Sequence, residues 1–97
     1  MAFQRLMGLQ VIDQDQYTLY RQHMRPILEQ HQGRFVADFK IQETLLPHRQ
    51  INRVFILEFP DQTHMQAFFK HPEYLAVREQ YFDASVAEVF ELACYNT

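Results

Sequence analysis

Five histidines, nine Lys and Arg, and twelve Asp and Glu are the residues of this chain that could hold a metal, move a proton or anchor an anion. A metal pair on a helix needs ligands three or four residues apart, so that both leave one face. His23 and His31 are about two turns apart, and His64 and His71 are separated by seven positions with Pro72 breaking the helix beyond them. Neither spacing suits a metal, so no structural metal and no cofactor is expected, and such histidines are more commonly structural or solvent-exposed. No Cys–His pair, Ser–His–Asp set or glycine-rich phosphate loop can be read.

The charges on strands say more. Glu58 shares a parity with Val54 and Ile56, and Glu88 with Phe90 and Leu92, while Arg34 and Arg53 open strands and Asp38 interrupts one. A carboxylate on an apolar face costs free energy unless it is paired. It therefore has either an arginine partner, tying strands or subunits together, or a polar cavity where a raised pKa would fit it for proton transfer. Tyr17, Tyr20 and Tyr74 combine apolar rings with a hydroxyl. They are either core residues with the hydroxyl at the rim or the walls of a pocket for a flat, partly polar ligand.

The candidate pocket is Tyr17, Tyr20, His23, Arg34, Arg53, Glu58 and Tyr74; were the protein an enzyme, Glu58 or His23 would be the proton carrier and Arg53 the anion anchor. Its ligand would be a small organic acid or aromatic metabolite. The competing reading is a non-catalytic structural or regulatory dimer whose charges are only interfacial pairs.

Elements must position these residues, and the composition allows them. A length of 97 residues bounds the chain to one domain with one core. Its 47% hydrophobic and 22% charged residues are those of a globular protein, and fourteen percent aromatics supply core area. A net charge of −3 without a basic cluster lacks the footprint of a nucleic-acid binder. Neither a basic amphipathic helix nor a spanning apolar run is present, so no membrane partner is expected. The single Cys94 has no internal partner and fits a reducing cytoplasm.

Residues 3–12 read as a strand that is apolar on both parities. Asp13 or Asp15 can cap a helix of roughly five turns carrying the stripe Tyr17, Tyr20, Met24, Ile27, Leu28 and His31. Pro26 lies inside it, and Gly33 is placed to end it as the left-handed residue. Residues 34–42 alternate, Phe35, Ala37, Phe39 and Ile41 against Val36, Asp38 and Lys40. A connection over 43–52 leads to a central strand at 53–59. Asp61 can cap a second helix with Met65, Phe68 and Phe69 on one side. His71-Pro72 interrupts that helix, and its spacing resumes through Leu75, Arg78 and Phe82 before a final strand at 86–94.

The order is βαββαβ, an α+β ferredoxin-like arrangement with two helices on one face of a four-stranded antiparallel sheet. Helices on one face leave the other to water, which normally makes that face polar. Here Val54 and Ile56 lie opposite Phe55, Leu57 and Phe59, and Phe90 and Leu92 lie opposite Val89 and Ala93. Leaving such a face bare forfeits about 1.5–3 kcal/mol for each large side chain. A second copy of the chain is the simplest cover, and a homodimer is expected.

Five segments in order carry a likeness: Asp15-x-Tyr17-x-x-Tyr20, Pro26-Ile27-Leu28, His31-Gln32-Gly33-Arg34-Phe35, Val54 through Phe59 into Pro60-Asp61, and Pro72-Glu73-Tyr74. Over residues 11 to 92 the chain resembles the domain of unknown function 1330 family, within the dimeric α+β barrel superfamily. The resemblance implies two ferredoxin-like units pairing sheet against sheet, with helices outside. It lends no reaction, because relatives in the wider superfamily range from cofactor-free monooxygenases to muconolactone-isomerase-like and haem-handling enzymes. The chain departs from the family in having Gln32-Gly33 for two glycines, His71 before the Pro-Glu-Tyr, Tyr81 where an Arg often stands, and a connection built on Leu46-Pro47-His48.

Overall fold

The computed structural model describes residues 2–47 and 49–97, so His48 of the connection and Met1 lie outside the described residues. The chain runs β1 (Phe3–Val11), α1 (Gln14–Gln30), β2 (Arg34–Lys40), β3 (Arg53–Phe59), α2 (Gln62–Lys70), α3 (Pro72–Val77) and β4 (Val86–Asn96). Between α3 and β4 lie a wider π-helical turn, Arg78–Phe82, and a last α turn, Asp83–Ser85. The strands order β2-β3-β1-β4, each antiparallel to its neighbours. The helices pack on one face, where Phe3, Met7, Leu9, Phe55, Leu57 and Phe59 meet Tyr17, Tyr20, Met24 and Phe68.

Short polar side chains start each helix. The Asp13 carboxylate accepts from the Gln16 N–H at 3.0 Å, and Asp61 from that of His64 at 2.8 Å. His71, which breaks the second helical region, starts α3 by accepting from the Glu73 N–H at 3.1 Å through Nδ1. Each of these bonds satisfies a first-turn donor that the helix itself leaves free.

The end of α1 departs from expectation in an informative way. Gly33 N–H donates to Leu28 O at 2.9 Å and Gln32 N–H to Glu29 O at 3.0 Å, the paired bonds that close a helix through one left-handed residue. That residue is Gln32, with φ of 59°, and not Gly33. Gly33 is needed for space: a Cβ there would run into the Leu28 side chain and lie 2.7 Å from the Phe59 ring. The two positions therefore predict opposite results. Gln32→Gly should leave stability unchanged or raise it by up to about 1 kcal/mol by relieving the left-handed side chain. Gly33→Ala should lower it by about 1–3 kcal/mol through overpacking. Urea midpoints of the two variants check the pair.

A bulge corrects the reading of β2. Phe35 lies opposite Leu57 but Ala37 lies opposite Ile56, so Val36 is an extra residue. Beyond it the parity inverts: Asp38 turns to the helix face opposite Phe55, and Phe39 to the outer face opposite Val54. The strand stops at Lys40, short of Ile41. In β4 a similar irregularity between Glu91 and Ala93 puts Ala93 opposite Leu6 on the outer face rather than across from Phe90.

The outer face carries Leu6, Val54 and Ile56, all half-buried, with Phe39 57% and Leu92 45% exposed. Ile51, from the connection after β2, folds over Gly8, where a Cβ would sit 3.2 Å from its side chain. Asn52 holds that connection down by exchanging two 2.8 Å bonds with the Val11 backbone.

Candidate functional site

Between the helices and the sheet lies a cleft of about 60 Å³. Its walls come from every strand and from both helical regions. On α1, Tyr17, Tyr20 and Met24 follow the buried stripe at steps of three and four. From β1, Arg5 enters on the same parity as Met7 and Leu9, and Phe55 and Leu57 do so from β3. Glu91 of β4 lies opposite Met7.

Tyr74, Arg78 and Phe82 follow one another at steps of four and all reach the cleft. On a regular α-helix a series at that step drifts by about 40° each time. The π turn closes through the Asp83 N–H to Arg78 O, one residue wider, and turns the drift back. The buried stripe reaches Phe82 as expected but starts from Tyr74 rather than the expected Leu75, which is 46% exposed.

The floor is aromatic. Tyr20 packs on Phe82 with ring centroids 4.8 Å apart and on Tyr17 at 5.8 Å, and Tyr74 packs on Phe68 at 4.4 Å. The Tyr20 and Tyr74 hydroxyls are 2.9 Å apart and hydrogen-bonded, both buried. Burial raises the pKa of Tyr17, Tyr20 and Tyr74 above 10, so these phenols stay neutral.

Guanidinium groups rim this floor. Arg5 pairs with Glu91 and lies 4.7 Å from the Phe69 ring centroid. Arg21 lies 4.0 Å above the Phe35 ring, donates from Nε to the Tyr17 hydroxyl at 2.9 Å and from Nη2 to Asp38 at 2.8 Å. Arg78 is 3.8 Å from Asp83, the longest of these ion pairs.

Asp38 takes a second cation. Arg53 donates to it from Nε at 2.8 Å and from Nη2 at 2.7 Å, a two-pronged pair. Burial alone would raise the Asp38 pKa, but the bonds and charges of Arg53 and Arg21 outweigh it and hold the carboxyl below its usual 3.8. Hydrogen bonds from Gln4 and Arg34 depress Glu58 in the same direction. A carboxyl whose folded pKa is depressed stabilises the fold fully above its unfolded value and loses that contribution as pH falls through the folded one. Stability is therefore expected to decline on acidification below about pH 5. Asp38→Asn should flatten that decline, as urea midpoints measured across this range would record.

Of the residues singled out by sequence, the structure brings Tyr17, Tyr20 and Tyr74 together in the cleft. Arg53 stands beside them, 5.5 Å from the Tyr17 ring centroid, occupied by Asp38. Glu58 and Arg34 pair with each other on the outer face, at 2.8 Å from Arg34 Nε, with Gln4 donating to Glu58 at 2.9 Å. Arg53 and Glu58 thus neither share a cavity nor face each other. They are an odd number of positions apart on one strand, which puts them on opposite faces. His23 is exposed, stacked on Tyr81 at 4.7 Å and bonded to Leu19 O at 2.8 Å.

Sequence reasoning passed over Arg5, Arg21, Arg78 and Glu91, although signals were present. Arg21 and Arg78 each follow a cleft tyrosine by four residues, and Arg5 shares the parity of Met7 and Leu9. No helix among the described residues is long and apolar enough to cross a membrane.

The model of a family described as a domain of unknown function, DUF1330, matches residues 6–93. Among solved structures, a Rhodopseudomonas palustris protein of unknown function is 17% identical with a TM-score of 0.85, over 99% of this chain and 82% of that one. A dimeric ferredoxin-like protein of unknown function from Jannaschia is 11% identical with a TM-score of 0.62, each chain covered in full at 100%. SnoaB, a cofactor-independent oxygenase from Streptomyces nogalater, is 12% identical with a TM-score of 0.61, over 99% of this chain and 90% of that one. At these identities the likeness shows the fold alone. No curated protein matches the chain.

Proposed function

This chain belongs to the DUF1330 family, and we propose that it works as a homodimer in which each subunit binds a small organic acid or aromatic metabolite in the cleft between helices and sheet. The observation that carries the reading is the union, in one recess, of an aromatic floor with the guanidinium groups of Arg5, Arg21 and Arg78. Apolar walls with a few convergent polar groups are the usual make-up of a small-molecule site. Cations stacked on aromatic rings favour a ligand that is flat and anionic. The volume of about 60 Å³ takes one small end of a ligand rather than the whole of it, since a benzene ring needs a cavity of roughly 150 Å³.

The dimer part rests on the apolar outer face and on the dimeric description of the Jannaschia structure. A structural dimer without a ligand is the second reading, and the occupation of Arg53 by Asp38 and of Arg34 by Glu58 speaks for it.

A thermal-shift series separates the two. Benzoate, phenylacetate and short aliphatic carboxylates are the probes, with benzylamine as the cationic counterpart. A carboxylate held at 100 times its Kd should stabilise the fold by about 2.7 kcal/mol, and benzylamine should not. If no carboxylate moves the midpoint at millimolar concentration, the ligand reading fails and the structural one stands.

A further inference from the structure

Two phenolic hydroxyls that bond to each other use only one of their two protons. Tyr20 and Tyr74 make that bond at 2.9 Å, and among the described residues neither hydroxyl has another hydrogen-bond partner. One O–H is therefore left over. Both residues line the cleft, so a ligand entering it can supply the acceptor that the protein does not.

We propose that the Tyr20–Tyr74 hydroxyl pair is the hydrogen-bond donor that selects the ligand of this cleft, so that the ligand must carry an acceptor oxygen (carbonyl, carboxylate or phenolate) on its buried end. This rests on the ligand reading above and sharpens it. The rim cations bring in a negative charge, but a guanidinium at the mouth attracts any anion. A neutral donor on an aromatic floor instead distinguishes an oxygen from a methyl group of similar size, because an unmatched buried hydroxyl is costly. Arg5 and Arg78 line the same cleft as Tyr74, so a ligand oxygen held there shares the recess with their positive charge. Either hydroxyl can be the donor of that bond, so the O–H left for the ligand belongs to whichever of Tyr20 and Tyr74 accepts.

The test is calorimetric titration of the intact protein and of Tyr74→Phe and Tyr20→Phe/Tyr74→Phe with benzoate, benzamide and toluene. The double variant removes both hydroxyls and leaves none buried without a mate, so it should keep the fold even where the single one is weakened. Benzoate and benzamide should each bind at least tenfold more weakly to the double variant, and toluene equally or more tightly. Perturbation of tyrosine absorbance on adding benzoate should shrink with the same substitutions to what Tyr17 alone contributes. Equal benzoate affinity in intact protein and a folded double variant overturns the inference while leaving the ligand reading in place. Binding of none of the three to the intact protein overturns both.

Discussion

Truncating Phe68 to alanine is expected to lower stability by about 3–5 kcal/mol, a drop in thermal midpoint of more than about 10 °C for a domain of this size. Phe68 has no exposed surface and sits where α2, α3, β3 and the end of α1 converge. Its ring centroid lies 4.4 Å from that of Tyr74, 5.0 Å from Phe69, 5.8 Å from Phe59 and 5.9 Å from His31. The neighbours belong to separate elements tied into the sheet and cannot all move inward, so much of the void would persist. The same void removes the support behind Tyr74, and ligand affinity should fall together with stability. Phe69→Ala, at a half-buried position on the cleft, should cost less stability. Urea unfolding with an unchanged m-value is the measurement. A loss below about 1 kcal/mol for Phe68→Ala would contradict the packing described here.

Ile56→Arg is expected to turn the proposed dimer into single subunits. Ile56 is central on the outer face, with Leu6 beside it on β1 and Ala37 on β2, and Val54 two positions along its own strand. An arginine there would have to be buried without a partner against an identical apolar surface, and across a two-fold axis two such charges would meet or lie close. In the folded monomer the same side chain reaches water freely, so folding should be spared. Sedimentation at micromolar concentration should give twice 11.7 kDa for the wild type and 11.7 kDa for the variant. Leu75→Arg, on the outside of the helical layer, should change nothing in the assembly. A wild type that sediments as one subunit removes the dimer outright.

The elements were legible because periodicity records burial. The stripe Tyr17, Tyr20, Met24, Ile27 and Leu28 is the buried face of α1, and the alternation in 53–59 is the two-sided strand β3. Asp13, Asp61 and Pro72 mark helix starts by chemistry that acts within one turn. The left-handed residue after α1 was misplaced by one because glycine serves two purposes, an unusual backbone angle and a missing side chain. Only the neighbouring Leu28 and Phe59 reveal which one Gly33 serves.

Three of the seven candidate positions reach the cleft and were legible for the same reason. Tyr17, Tyr20 and Tyr74 belong to apolar stripes, and apolar stripes face inward. The charged members were not, since a long cation can lie on an aromatic ring, in an ion pair or in solvent with equal ease. Which it does depends on partners far away in the chain, as with Arg5 and Glu91, 86 positions apart.

By itself the sequence determined what local physics decides: the βαββαβ order, the helix starts, the apolar excess on both faces of the sheet, and family membership. Only tertiary structure decided the two bulges that re-aim Asp38 and Ala93, the separation of Arg53 from Glu58, and the meeting of the Tyr20 and Tyr74 hydroxyls. A bulge has no signature in composition, because one inserted residue inverts every side chain beyond it while leaving the alternation intact. Contacts between residues 54 positions apart exist only once the chain has closed on itself.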